Sequence, residues 1–306
     1  MHRDIRHDGS MSRPGRAGLA SLPLGEQSDR VLASWDGFLA AAEDVDLDRP
    51  SRLPGWTGHD VLVHVGDWPG VATLDKLLAE ARSGTVAPAY HPDVVNAAVV
   101  AAHRGVPGAD VLAAVRRSRD RLAEWFAAPD AADGPLALGL TPVRSSVGVL
   151  PLLTVVNAGG YELAVHALDL GVRPADGLLD AGLAALVDVT GVFAHRRGLR
   201  SSLTAWTGRS GWQVRTDGDG WVTTSVRERP PGAAVEGDAA VLLDASAGRR
   251  AVPALLASRT MRVHGLADIV RLAPIVDEVP GLPGGPALKA AARWVAGAGR
   301  LLRLGR

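Results

Sequence analysis

What most constrains this chain is a change of hydrophobic period near residue 199. Over 27–45 the apolar residues Val31, Leu32, Trp35, Phe38, Leu39 and Ala42 recur three and four apart, the spacing of one helix face. Over 110–128, Val111, Leu112, Val115, Leu122, Trp125 and Phe126 repeat that spacing, while Arg116, Arg117, Arg119 and Arg121 read as a solvated face. After Gly198 the apolar runs shorten and alternate. Segments 203–206, 211–215 and 221–225 read as strands, with Asp217-Gly218-Asp219-Gly220 as a hairpin turn. Further strands are expected at 234–237 and 261–265, with helices from Asp238 through Leu243 and over 266–276. The pattern predicts an α+β chain: a disordered arm over 1–25, a helical bundle over 26–198 and a smaller α/β domain over 199–306. Within the last, 287–304 is a terminal helix or an arginine-rich tail.

Cysteine is absent, which excludes disulfides, thiolate metal ligands and a cysteine nucleophile. Any sulfur chemistry must borrow its thiol. The formal net charge is zero, so the chain does not advertise nucleic acid or an acidic membrane as partner. The first residues lack a signal-peptide pattern, and no run approaches ~18 consecutive apolar residues. A soluble cytoplasmic protein acting on small molecules is the expectation.

Chemistry concentrates in Gly159-Gly160-Tyr161-Glu162-Leu163-Ala164-Val165-His166-Ala167-Leu168-Asp169-Leu170. If this run is helical, Glu162 and His166 leave one face a turn apart, as two metal ligands or as a buried hydrogen-bonded pair. A third ligand must come from elsewhere, and His64 is the candidate. It follows Thr57 and Asp60, a capping-box-like pair that starts a helix near Gly58. Pro69 is expected to kink or restart that helix, and Gly159-Gly160 to mark a close backbone approach or a bend. Asp169 is either an acceptor for a ligand histidine or a carboxylate facing solvent or an arginine. His59 and His103 read as surface or interhelix residues. Arg249, Arg250 and Arg262 are candidates to clamp a substrate carboxylate.

Leu53-Pro54-Gly55-Trp56-Thr57 with Asp60 and His64, the segment 96–104, and the run from Glu162 to Leu170 together resemble the amino-terminal domain of the mycothiol-dependent maleylpyruvate isomerase family. That domain is a DinB-like four-helix bundle, and the resemblance covers roughly residues 25–200. The elements after residue 200 resemble the sterol-carrier-like domain that often follows. The resemblance implies that His64, Glu162 and His166 bind a catalytic divalent metal, usually zinc, with mycothiol as thiol cosubstrate. Two imidazoles and a carboxylate leave such an ion an open position. The expected function is therefore a metal-dependent isomerase or thiol S-transferase acting on a small electrophile. The alternative is a non-catalytic carrier that holds an apolar ligand between the two domains. Where relatives often carry a basic residue a turn before the glutamate, this chain has Gly159.

Overall fold

The structure, a computed structural model, describes residues 16–68 and 73–278. Residues 1–15, Pro69 with its expected kink, and 279–306 with the expected terminal helix or tail lie outside the described residues. Along the chain come α1 (Leu24–Glu43), α2 (Gly58–Val65), α3 (Leu74–Ser83), α4 (Pro92–His103), α5 (Gly108–Ala127) and α6 (Pro135–Leu138). A hairpin of β1 (Pro142–Ser145) and β2 (Gly148–Pro151) leads into α7 (Leu152–Asp169) and α8 (Asp176–Arg196). Then follow β3 (Ser201–Trp206), β4 (Gly211–Thr216), β5 (Trp221–Val226), β6 (Ala234–Gly237), α9 (Ala239–Ser246), α10 (Val252–Ala257), β7 (Met261–His264) and α11 (Leu266–Arg271). A helical amino-terminal region is thus followed by a sheet-containing carboxy-terminal region.

The long amphipathic helices α1 and α5 pack against each other, and α2 and α7 complete a four-helix arrangement with them. The five strands of the carboxy-terminal sheet run β5-β4-β3-β6-β7, antiparallel except for the parallel pair β3–β6. Helix α8 joins the two layers, packing along α7 on one side and across β4 and β5 on the other. Glycines allow that double contact. A Cβ on Gly182 would lie 2.6 Å from the Cβ of Ala164 in α7, and one on Gly191 would lie 2.4 Å from Val214 in β4. By length and composition α8 also qualifies as a membrane span, but 72% of its apolar window is buried inside the protein. A helix that is apolar all round is here a core helix.

Several expectations need correction. The disordered arm does not extend to residue 25, because Ala17, Leu19 and Ala20 are buried in a 3-10 turn over Gly18–Ser21. Trp221 N–H donates to the Arg16 carbonyl at 3.0 Å, and Leu19 N–H donates to Asp188 Oδ1 at 3.0 Å, so this segment straps α8 to β5. Helix α2 ends at Val65, before Pro69 is reached, where the Gly66 amide turns back to the carbonyls of Leu62 and Val63. The Trp68 indole also donates to the Val63 carbonyl at 2.7 Å, giving that acceptor in the last turn a second donor. The β1–β2 hairpin and α10 lack counterparts in the sequence reading, since their runs are short and bounded by proline and glycine.

Candidate metal centre

The stretch before α2 is closed locally. Trp56 N–H donates to the Leu53 carbonyl at 3.1 Å across Pro54-Gly55, and Gly55 has φ +78°, as a type II turn requires at its third position. Thr57 and Asp60 then exchange the reciprocal bonds of a capping box, at 3.0 and 3.3 Å. This start sets the phase of α2, which places His64 in its last turn with Trp56 edge-on to its ring at 5.7 Å.

Glu162 and His166 stand one turn apart on α7, with His166 Nε2 3.4 Å from Glu162 Oε2. The His64 and His166 rings meet edge to face at 4.9 Å. One ligand atom from each of His64, Glu162 and His166 lies within 4.8 Å of the others. His166 is buried, His64 is half-buried, and the Glu162 side chain is 56% exposed, so the cluster opens to solvent on the glutamate side. Gly159 lies one turn before Glu162 and a Cβ there would meet nothing within 4 Å, whereas Gly160 faces the Ala181 carbonyl of α8 at 3.4 Å. Close approach therefore explains the second glycine of the pair and not the first.

Behind the cluster sits a buried ion network. Asp169, whose side chain is fully buried, accepts from His166 Nδ1 at 3.1 Å and from both Nε and Nη2 of Arg249 at 2.8 and 2.9 Å. An ionised carboxylate can only accept, so Nδ1 carries the proton. Nε2 is thereby left facing Glu162 and His64. Asp169 thus bonds the histidine and an arginine at once. Arg52 adds a second brace, its backbone N–H donating to the Asp169 carbonyl at 2.8 Å and its guanidinium to Asp244 at 2.8 Å. Tyr161, one residue before Glu162, reaches Ser246 at the end of α9 at 3.1 Å. Residues of the sheet-containing region thus hold the back of the site. Sequence reasoning missed Arg52, Tyr161 and Ser246 because nothing in the sequence aligns residue 52 or 161 with the end of α9.

The electrostatics follow from this geometry. Burial, with His166 nearby, drives the His64 imidazole down to about 4 and keeps it neutral. Burial opposes charge on His166 as well, but the bonds from Asp169 and Glu162 outweigh it and hold its pKa up at about 9. Burial pushes Asp169 upward, and His166 and Arg249 overcome it, bringing the carboxyl to about 2. Glu162 is lowered as well, its partial desolvation outweighed by the hydrogen bond and charge of His166. The cluster therefore holds one positive charge between two carboxylates, the place a cation would take in exchange for a proton.

Two of the three clamp candidates have ion-pair partners within the protein. Arg249 bonds Asp169 and the Ala247 carbonyl, which braces it behind the histidine. Arg262 is largely exposed and paired with Glu236 on the far strands, and Arg250 contributes a backbone N–H to the Asp244 carbonyl. His59 bonds the Val106 carbonyl and His103 the Val99 carbonyl, so neither joins the cluster.

Residues 29–171 match the family described as mycothiol maleylpyruvate isomerase N-terminal domain. Among solved structures the chain is similar to the crystal structure of the mycothiol-dependent maleylpyruvate isomerase, with a TM-score of 0.51 and 20% identity over 76% of this chain and 92% of that one. A histidine-to-alanine mutant of the mycothiol-dependent maleylpyruvate isomerase matches with a TM-score of 0.50 at the same identity and coverage. No curated protein matches the chain. At 20% identity the structural likeness is one of fold. Residues 29–171, a little under half of the chain, thus match the N-terminal domain of that family, and the fold shared with the solved enzyme extends over more of the chain.

Proposed function

We propose that this chain is a metal-dependent enzyme that uses a low-molecular-weight thiol, mycothiol in the first instance, for cis-trans isomerisation or S-transfer on a small electrophile bearing a carboxylate. The observation that carries the reading is the convergence of His64, Glu162 and His166, with Nδ1 of His166 already committed to Asp169. Two imidazoles and a carboxylate suit a divalent cation with an open position, and the buried acceptor on the distal histidine nitrogen is the usual companion of such a ligand. The similar solved enzyme is a mycothiol-dependent maleylpyruvate isomerase, which supports the choice of thiol.

A divalent cation held by these residues would supply the positive charge that keeps a thiol, with a free pKa of ~8.5, deprotonated near neutral pH. The chain's own part is placement. Asp169 fixes the tautomer and plane of His166, Arg249 balances the Asp169 charge, and Trp56 walls off one side of His64. Glu162 borders solvent, so thiol and substrate arrive on its side, where Gly159 leaves room. The thiolate sulfur adds to one carbon of an activated double bond, and the π electrons move to the conjugated carbonyl. Rotation about the resulting single bond, then expulsion of the thiolate, restores the double bond in the other geometry with no atom gained or lost. If a proton is captured at the neighbouring carbon before expulsion, the thioether is released and the reaction is an S-transfer. A carrier would need an apolar hollow between helices and sheet, and α8 fills that space with a continuous core.

The test is metal analysis of protein purified without a histidine tag, followed by calorimetry with mycothiol. Near-stoichiometric divalent metal that His166→Ala loses while helical content survives, with thiol binding that depends on the metal, is the expected result. Metal-free protein that shows no heat with mycothiol, glutathione or cysteine after metal is supplied would overturn it.

A further inference from the structure

A cleft of about 620 Å³ lies away from the metal cluster, lined by Arg16, Arg200, Arg215 and Arg271 together with Ser202 and Asp268, among others. Strand register fixes which side of the sheet it occupies. Arg215 is paired across β4 with Ser202 on β3 and with Val222 on β5, so these three side chains share one face. Val214 and Trp221 belong to the opposite face, where they meet Gly191 of α8. The cleft is therefore on the sheet face turned away from α8. The whole thickness of sheet and α8 separates it from α7.

Charge in the cleft is not balanced. Asp217 pairs with Arg16, and Asp268 pairs with Arg271 at 2.7 Å. Arg200 and Arg215 have no ion pair among the described residues, and both are exposed. These two guanidiniums line the cleft with the Ser202 hydroxyl, which adds a donor that suits oxyanions. A volume of this size is in the range of small-ligand sites. The aromatic platform of a single-strand nucleic-acid groove is missing from its lining.

We propose that this cleft is a second binding site, for a small multiply charged oxyanion, either a phosphate ester or a polycarboxylate, held by Arg200 and Arg215 and independent of the metal cluster. Both arginines are exposed and unpaired, so replacing them leaves the packing of the sheet intact.

Calorimetric titrations of the full chain with inorganic phosphate, tripolyphosphate and citrate, at low and moderate salt, test this and separate the two ligand sources. The expected result is saturable one-to-one binding of at least one of these anions that weakens with salt. Arg200→Ala and Arg215→Ala should each weaken it about tenfold or more. The control Arg116→Ala removes the same charge from the α5 surface and should leave binding unchanged. Chelator-treated protein should bind equally well, so the outcome does not depend on the metal-centre reading. Absence of saturable binding for all three anions, or equal weakening by Arg116→Ala, would overturn the proposal, as would loss of binding on chelation.

Discussion

His166 is the residue on which the candidate site turns, and what sets its behaviour lies behind it. A ligand imidazole offers Nε2 well only when Nδ1 is occupied, and here the occupant is Asp169, itself neutralised by a two-pronged bond from Arg249. Asp169→Asn keeps the size of the side chain but supplies an amide where a carboxylate accepted three bonds. Metal affinity should fall about 10–100-fold, read by competition with a chromophoric chelator, while the chain stays folded. An unchanged affinity would mean that Asp169 serves the fold alone. The sequence made the ligand pair visible because positions four apart on a helix fix their own geometry. It also offered Asp169 as an acceptor. It could not show that Arg249, 80 residues further on, closes the network, because no local rule sets the distance between α7 and the loop after α9.

At the scale of elements, helix and strand periods were readable wherever one face is buried and the other wet, as on α1, α5 and the β3–β5 meander. They failed where no such contrast exists. The short hairpin before α7 carries too few residues to show a period, and the strap over Gly18–Ser21 is buried through contacts made by its backbone and small side chains. That strap, α8 and β5 meet at Asp188, whose Oδ1 accepts from Leu19 N–H, Trp221 Nε1 and Thr223 Oγ1 at 3.0, 2.9 and 2.6 Å. Burial raises its carboxyl to about 6 against these bonds and the nearby Arg30 guanidinium. The folded state therefore holds this proton more tightly than the unfolded chain. The resulting stabilisation is complete below about pH 4 and is lost as pH rises through about 6. Two pKa units correspond to roughly 2–3 kcal/mol. Denaturant melts of wild type and Asp188→Asn should accordingly shift in favour of the variant, by that order, between pH 4 and pH 7. A difference that stays constant with pH would rule out titration at Asp188.

For the molecule as a whole, the change of architecture near residue 199 marks where helices give way to strands, and we propose that it does not mark independent folding. Val187 and Val192 of α8 share one core cluster with Leu163 of α7 and Val214 of β4. Cutting the chain after α8 would leave much of an apolar helix exposed. Calorimetry should show one cooperative transition for the full chain, and a fragment of residues 26–198 should aggregate or populate a loosely packed state. Two resolved transitions would show that the halves fold separately. The strap adds a matter of timing. Arg16 is synthesised about two hundred positions ahead of Trp221, whose amide donates to its carbonyl. At roughly 5–20 residues per second, that partner is synthesised on the order of ten to forty seconds later. Throughout that interval the Arg16 carbonyl lacks its native donor. Closing the strap is then one of the last acts of folding, and the strap is the place where a slow-growing chain is most open to chaperones and proteases.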